Sequence, residues 1–186
     1  MLLEIDRTWT LFLDRDGVLN RKLAGDYVRS PQDLVLLPDV AEALLVLRPL
    51  FGRIIVVTNQ QGIGKGLMSE TDLNQVHEEL YRQLGTAAHT IDRIYHCPDL
   101  ATTHSPCRKP QIGMAQQAQQ DFPEIDLSRS IIVGDSPSDM EFGRRAGMQT
   151  VFVGTDPVLI RQQIGQITAA VSDLFAFTSL LYTKNR

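Results

Sequence analysis

Short β-branched runs alternate with segments of helical spacing along most of this chain, and that alternation limits the fold to very few architectures. Trp9 to Leu13 reads as the first strand. Arg53-Ile54-Ile55-Val56-Val57-Thr58 is a β-branched strand, Ile91 to His96 another, Ser130-Ile131-Ile132-Val133-Gly134 a buried one, and Thr150-Val151-Phe152-Val153 the next. Between them, Val40 to Leu50 carries apolar residues at helical spacing behind Pro38-Asp39, which suits a helix start. Ser69 to Leu84 reads as a helix with Ser69-x-x-Asp72 as its cap box. Gly113 to Asp121 and Asp139 to Ala146 are two more helices, and Pro157 to Leu181 is helical or mixed. Strand–helix alternation of this kind predicts an α/β fold: a doubly wound parallel sheet with helices on both faces. In such sheets ligands gather beyond the carboxyl ends of the strands. Asp14, Thr58 and Asp135 each fall at or just past a strand end, so all three are expected to meet at one edge.

At 186 residues the chain is expected to be a single domain, with a motif-bearing core over about 10–155 and a frayed extreme C-terminus. A net charge of −4 does not suggest a nucleic-acid partner, and an anionic substrate would need local positive charge. The N-terminal Met1-Leu2-Leu3-Glu4-Ile5-Asp6 carries an acid where a signal peptide is basic. No apolar run approaches the ~20 residues of a membrane helix. Two cysteines, Cys97 and Cys107, make no secreted disulfide scaffold. A cytoplasmic monomer that binds no membrane is the expectation.

The chemistry sits in Leu11-Phe12-Leu13-Asp14-Arg15-Asp16-Gly17-Val18-Leu19-Asn20. A D-x-D at a strand end is often a turn or a cap. Here later motifs favour catalysis. Asp14 is the candidate nucleophile, able to form an aspartyl-phosphate. Asp16 is the candidate general acid and base, a role that calls for a raised pKa. Thr58 and Asn59 close the second strand, where a hydroxyl and N–H groups can hold phosphoryl oxygens. Gly62, Gly64 and Gly66 make a loop free to approach a ligand but not a nucleotide fingerprint. Lys109 can neutralise the phosphoryl group and the nucleophile, and Arg108 can grip a second oxyanion with its planar fork. Asp135 with Asp14 can hold a hard divalent cation such as magnesium. Asp139 either orients Lys109 or caps the next helix. His77, His89 and Trp9 read as packing or surface residues.

The ordered set Asp14-x-Asp16-Gly17-Val18, Thr58-Asn59, Lys109 and Gly134-Asp135-x-x-x-Asp139 resembles the haloacid dehalogenase superfamily of phosphatases. Finer phrases, among them Asp26-Tyr27-Val28, Gly62-Ile63, Cys97-Pro98 and Cys107-Arg108-Lys109-Pro110, resemble the branch that holds D-glycero-D-manno-heptose-1,7-bisphosphate 7-phosphatase and the histidinol-phosphatase domain. The resemblance implies magnesium, no large cap domain, an aspartyl-phosphate intermediate and a small phosphorylated sugar as substrate. It places the metal on Asp14, Asp135 and the backbone carbonyl of Asp16, and gives Arg108 a part in choosing the substrate. Asn20, Tyr27-Val28 and Gly113-Met114 lean toward the heptose enzyme, while the short Cys97-to-Cys107 spacing leans toward histidinol-phosphatase. A binding protein that keeps the fold without turnover, or a phosphotransferase, are the rival readings.

One departure bears on a second metal. The branch carries a zinc loop of the form C-x-H, spacer, C-x-C before Arg-Lys-Pro. The matching positions here read Cys97-Pro98-Asp99 and Ser105-Pro106-Cys107. Two thiolates remain, Asp99 stands for the His, Ser105 stands for one Cys, and His104 is a substitute donor. Structural zinc on Cys97 and Cys107 with Asp99 or His104 stays open.

Overall fold

The structure is a computed structural model that describes residues 5–182; the fraying expected of the chain end falls on residues 183–186, outside those described. Six parallel strands form one sheet: β1 (Thr10–Leu13), β2 (Arg53–Asn59), β3 (Arg93–Cys97), β4 (Ser130–Gly134), β5 (Gln149–Val153) and β6 (Ala169–Val171). Their order is β3-β2-β1-β4-β5-β6. The chain winds outward from β1 to β3, returns to the centre as β4, and winds outward again. β1 and β4 therefore flank the point where the strand order reverses, and that is where a doubly wound sheet opens a crevice.

The strands alternate cleanly between two cores. Leu11, Leu13, Ile54, Val56, Ile131 and Val133 face α1 (Val40–Leu47), α3 (Glu70–Leu84) and α7 (Leu174–Tyr182). Phe12, Ile55, Val57 and Ile132 face α4 (Gly113–Asp121) and α5 (Pro137–Ala146). Each such side chain, removed from water, contributes roughly 1.5–3 kcal/mol before the entropy of ordering it is counted. A one-turn helix, α2 (Gln61–Gly64), follows β2, and α6 (Pro157–Gln163) precedes β6. No large cap is inserted between these elements. No helix among the described residues is long and apolar enough to cross a membrane.

Most elements fall where the sequence puts them, and the differences have reasons. The expected Ser69 cap box is present, with the Ser69 side chain accepting from the Asp72 amide. α5 begins at Pro137, two residues before the expected start, because Ser136 is its N-cap, Pro137 suits the first helical position and Asp139 closes a second capping box. The sequence does not set β6 apart as a strand, because Ala-Ala-Val is too short a run to stand out from its neighbours. The glycines read as a loop near the ligand instead form α2 and the turn after it, and none of the three lines the cavity described below.

α5 lies very close to the sheet. A Cβ on Gly143 would overlap Ile132 Cγ2 of β4 and Thr150 Cγ2 of β5. Gly143→Ala is expected to cost about 1–3 kcal/mol, as overpacking does, read as a lower urea midpoint. An unchanged midpoint would mean the helix does not approach this closely.

Candidate active site

β1 hands its last ladder bond to Asp14, whose N–H donates to the Val133 carbonyl of β4 at 2.9 Å. The chain then folds into a tight turn, with the Gly17 N–H on the Asn20 carbonyl at 2.7 Å and the Leu19 N–H on the Arg15 carbonyl at 2.8 Å. Gly17 holds φ +94, and a Cβ there would overlap the Asp135 carboxylate. Only a glycine lets the turn pass this close to β4.

Asp14 is buried. Its Oδ1 accepts from Lys109 Nζ at 2.9 Å and from the Arg15 N–H at 2.8 Å. Lys109 is buried as well, and its ammonium also reaches Asp139 Oδ1 at 2.6 Å and the Val57 carbonyl at 2.8 Å. Asp14 and the Val57 carbonyl each take one of its protons, and Asp139 faces it as an ion pair. Burial works against its charge, but Asp139 and Asp14 more than offset that and raise its pKa. Asp139 performs both roles considered for it: Oδ1 faces Lys109, while Oδ2 accepts from the Ser136 N–H at 3.1 Å and hydroxyl at 2.5 Å to start α5.

Asp16 differs from its expectation. Its carboxylate takes Arg15 Nη2 on both oxygens (3.1 and 2.9 Å), Asn20 Nδ2 at 2.9 Å and Gln60 Nε2 at 2.9 Å. Burial alone would raise its pKa; the Arg15 charge and these donors outweigh burial, so the group is held below the usual carboxylate range. The sequence shows the neighbouring acids but not the guanidinium folded back onto Asp16. The clustered metal-competent side-chain oxygens come from Asp14, Asp135 and Asp139, all within 4.8 Å of one another, whereas the metal contact expected of Asp16 is through its backbone carbonyl.

Thr58 is buried and its Oγ1 accepts from Gln60 Nε2 at 2.9 Å, which leaves its own proton to donate elsewhere. Asn59 pairs with the backbone of Lys109 in both directions: its Nδ2 donates to the Lys109 carbonyl at 3.1 Å and its Oδ1 accepts the Lys109 N–H at 3.0 Å. Arg108 donates to the Asp99 carbonyl at 3.3 Å. Asp14, Asp16, Thr58, Asn59, Arg108 and Lys109 line one cavity of about 210 Å³, together with Lys22 and Tyr27. Asp135 stands next to it, its two oxygens held by Lys22 Nζ at 2.9 and 2.8 Å. Lys22 and Gln60 are not singled out by the sequence. Gln60 follows a motif residue directly, but Lys22 lies in a stretch with no pattern of its own.

These acids fit a divalent cation. Burial and the charges of Asp139 and Asp135 push the Asp14 carboxyl up to about 7, even against Lys109. Burial also raises Asp135, with Lys22 opposing it. The cluster has more negative charge than its lysines neutralise, and its donors are hard oxygens, as magnesium prefers. Zinc fits less well at the second candidate site. The sulfurs of Cys97 and Cys107 lie at disulfide distance with Cα atoms 5.5 Å apart, and with Asp99 they make a cluster of three donors. Asp99 Oδ2 lies 4.0 and 3.6 Å from the two sulfurs, whereas His104 is exposed and does not belong to the group. The fourth tetrahedral donor is missing among the described residues.

Residues 106–161 match a family model described as HAD-hydrolase-like. A D-glycero-alpha-D-manno-heptose-1,7-bisphosphate 7-phosphatase of Mycobacterium tuberculosis (strain H37Rv) is 45% identical over 133 residues, covering 72% of this chain and 70% of that protein. The Burkholderia mallei protein of the same name is 36% identical over 173 residues, covering 87% and 85%. Among solved structures, the D,D-heptose 1,7-bisphosphate phosphatase of B. bronchiseptica, complexed with magnesium and phosphate, superposes with a TM-score of 0.84 at 29% identity, covering 95% of this chain and 99% of that one.

Magnesium is expected to raise the melting temperature of the wild type, because it binds the folded chain. Asp135→Asn is expected to abolish that shift while melting close to the wild type without metal. A shift that survives the substitution would put the ion elsewhere.

Proposed function

The chain belongs to the haloacid-dehalogenase-like phosphatases, in the branch of the heptose bisphosphate phosphatases, and on that footing we propose that it removes the 7-phosphate of D-glycero-D-manno-heptose 1,7-bisphosphate. The observation that carries the reading is the buried Asp14–Lys109–Asp139 arrangement at the strand-order reversal, with Asp135 beside it. The whole chain acts as one catalytic unit on a small phosphorylated sugar.

In this reading Asp14 is the nucleophile. Lys109 and the Arg15 amide hold its Oδ1, so Oδ2 is the oxygen turned to phosphorus. Thr58 donates its hydroxyl proton to a phosphoryl oxygen, and Lys109 carries positive charge to the same place as negative charge builds. Magnesium, when bound by Asp14, Asp135 and the Asp16 carbonyl, supplies the charge that lets two anions meet. Arg108, at the outer wall of the cavity, holds a further oxyanion of the sugar. Asn59 touches the same wall while keeping the Lys109 backbone in place.

Asp16 rests as a carboxylate and must gain its proton as the substrate arrives. The incoming phosphate dianion is the like charge that raises its pKa. Protonated, Asp16 gives that proton to the departing alkoxide; ionised again, it takes one from the water that attacks the aspartyl-phosphate.

Asp14→Asn is expected to abolish phosphate release from every substrate. Asp16→Asn is expected to slow sugar phosphates more than aryl phosphates in single turnovers, because aryl leaving groups need less protonation. Turnover of histidinol phosphate equal to or faster than that of the heptose bisphosphate would overturn the substrate. Zinc on the Cys97–Cys107 loop is not part of this reading: elemental analysis of protein purified with reductant is expected to find zinc well below one ion per chain.

A further inference from the structure

Among the described residues Arg15 is the largest wholly buried side chain, at 0% exposure, and it does not line the cavity of Asp14 and Lys109. One arm of its guanidinium, Nη2, takes both oxygens of Asp16. The other arm, Nη1, lies 3.2 Å from His77 Nε2 on α3. Arginine has donors only, so His77 must accept through Nε2 and carry its proton on Nδ1. Burial, with the Arg15 charge next, holds His77 neutral by pushing its pKa down to about 3. The His96 ring packs edge-on against it, centroids 6.3 Å apart, and His96 Nε2 is 2.9 Å from Glu70 Oε2 at the start of the same helix.

The identity of the acceptor matters. A carboxylate at position 77 would share the guanidinium charge and draw it off Asp16. A neutral ring nitrogen fixes the direction of one arm and leaves the charge to the other. Losing that acceptor frees the guanidinium to rotate about its own stem, and Asp16 loses its two-pronged partner first, since its remaining donors, Asn20 and Gln60, take one oxygen each.

We infer that His77 is a positioning residue for the reaction: by accepting from Arg15 Nη1 it aims Nη2 at Asp16 and keeps that carboxyl turned toward the leaving oxygen. The inference rests on the phosphatase reading with Asp16 as acid and base. His77 touches neither substrate nor metal ligand, so its effect passes wholly through Arg15.

The test compares His77→Leu, which has no acceptor, with His77→Gln, whose amide oxygen is a neutral acceptor. Rapid-quench single turnovers follow release of the sugar from the heptose bisphosphate and of p-nitrophenol from p-nitrophenyl phosphate. With Leu the sugar step is expected to slow about ten-fold, a fraction of what a general acid contributes, and the aryl step less than about two-fold. Gln is expected to restore the sugar step. KM and the magnesium dissociation constant from calorimetry are expected to stay at their wild-type values. Equal slowing of both steps, no slowing of either, or a Gln variant as slow as Leu would each overturn the inference. If His77→Leu yields no folded protein, His77→Asn, too short to span the link, is judged by the same criteria. Failure of the wild type to release phosphate from either ester would instead overturn the phosphatase reading.

Discussion

Lys109, with 3% of its surface exposed, keeps its charge here only because two carboxylates and a carbonyl surround its ammonium. Bringing such charges out of water costs several kcal/mol per ion, and breaking one partner away from a buried pair costs about 3–5 kcal/mol. The arrangement is a poor source of stability and a strong source of order. It joins the end of β1, the end of β2, the loop before α4 and the start of α5 at one place. Each arrives from a distant part of the sequence, so the site exists only once the sheet is assembled.

The sheet order makes that meeting possible. β1 and β4 are direct neighbours, with Leu13 opposite Val133, although more than a hundred residues separate them. Their ends deliver Asp14 and Asp135 side by side, and the Gly17 turn fits between them without a side chain. The crowd of acids then creates a demand for positive charge that two lysines do not meet. Magnesium binding follows from that imbalance as much as from any one ligand.

The parallel sheet and its helices are legible in the sequence because β-branched runs and cap boxes are local signals. β6 is not, since three small residues carry no period. The acids of the site are legible for the same reason as the strands: they sit at strand ends, in order. What a linear reading does not reveal is which group answers which. Strand alternation sets Arg15 apart from Asp14 and Asp16, yet after the turn its guanidinium returns to Asp16 and reverses the expected direction of that pKa. His77 looks like any helical histidine until α3 is packed beside β1. Asn59 looks like a ligand group, and its amide also holds the backbone of Lys109. The Cys97–Cys107 loop keeps only two of the four usual donors of a metal loop.

Asp139 divides its two oxygens between a helix start and the buried lysine. Unravelling of the first turn of α5 and exposure of the Lys109 charge are therefore a single event, not two. Amide hydrogens at the head of this helix would exchange only as fast as the reactive centre itself comes apart, although a helix terminus is ordinarily where fraying is quickest.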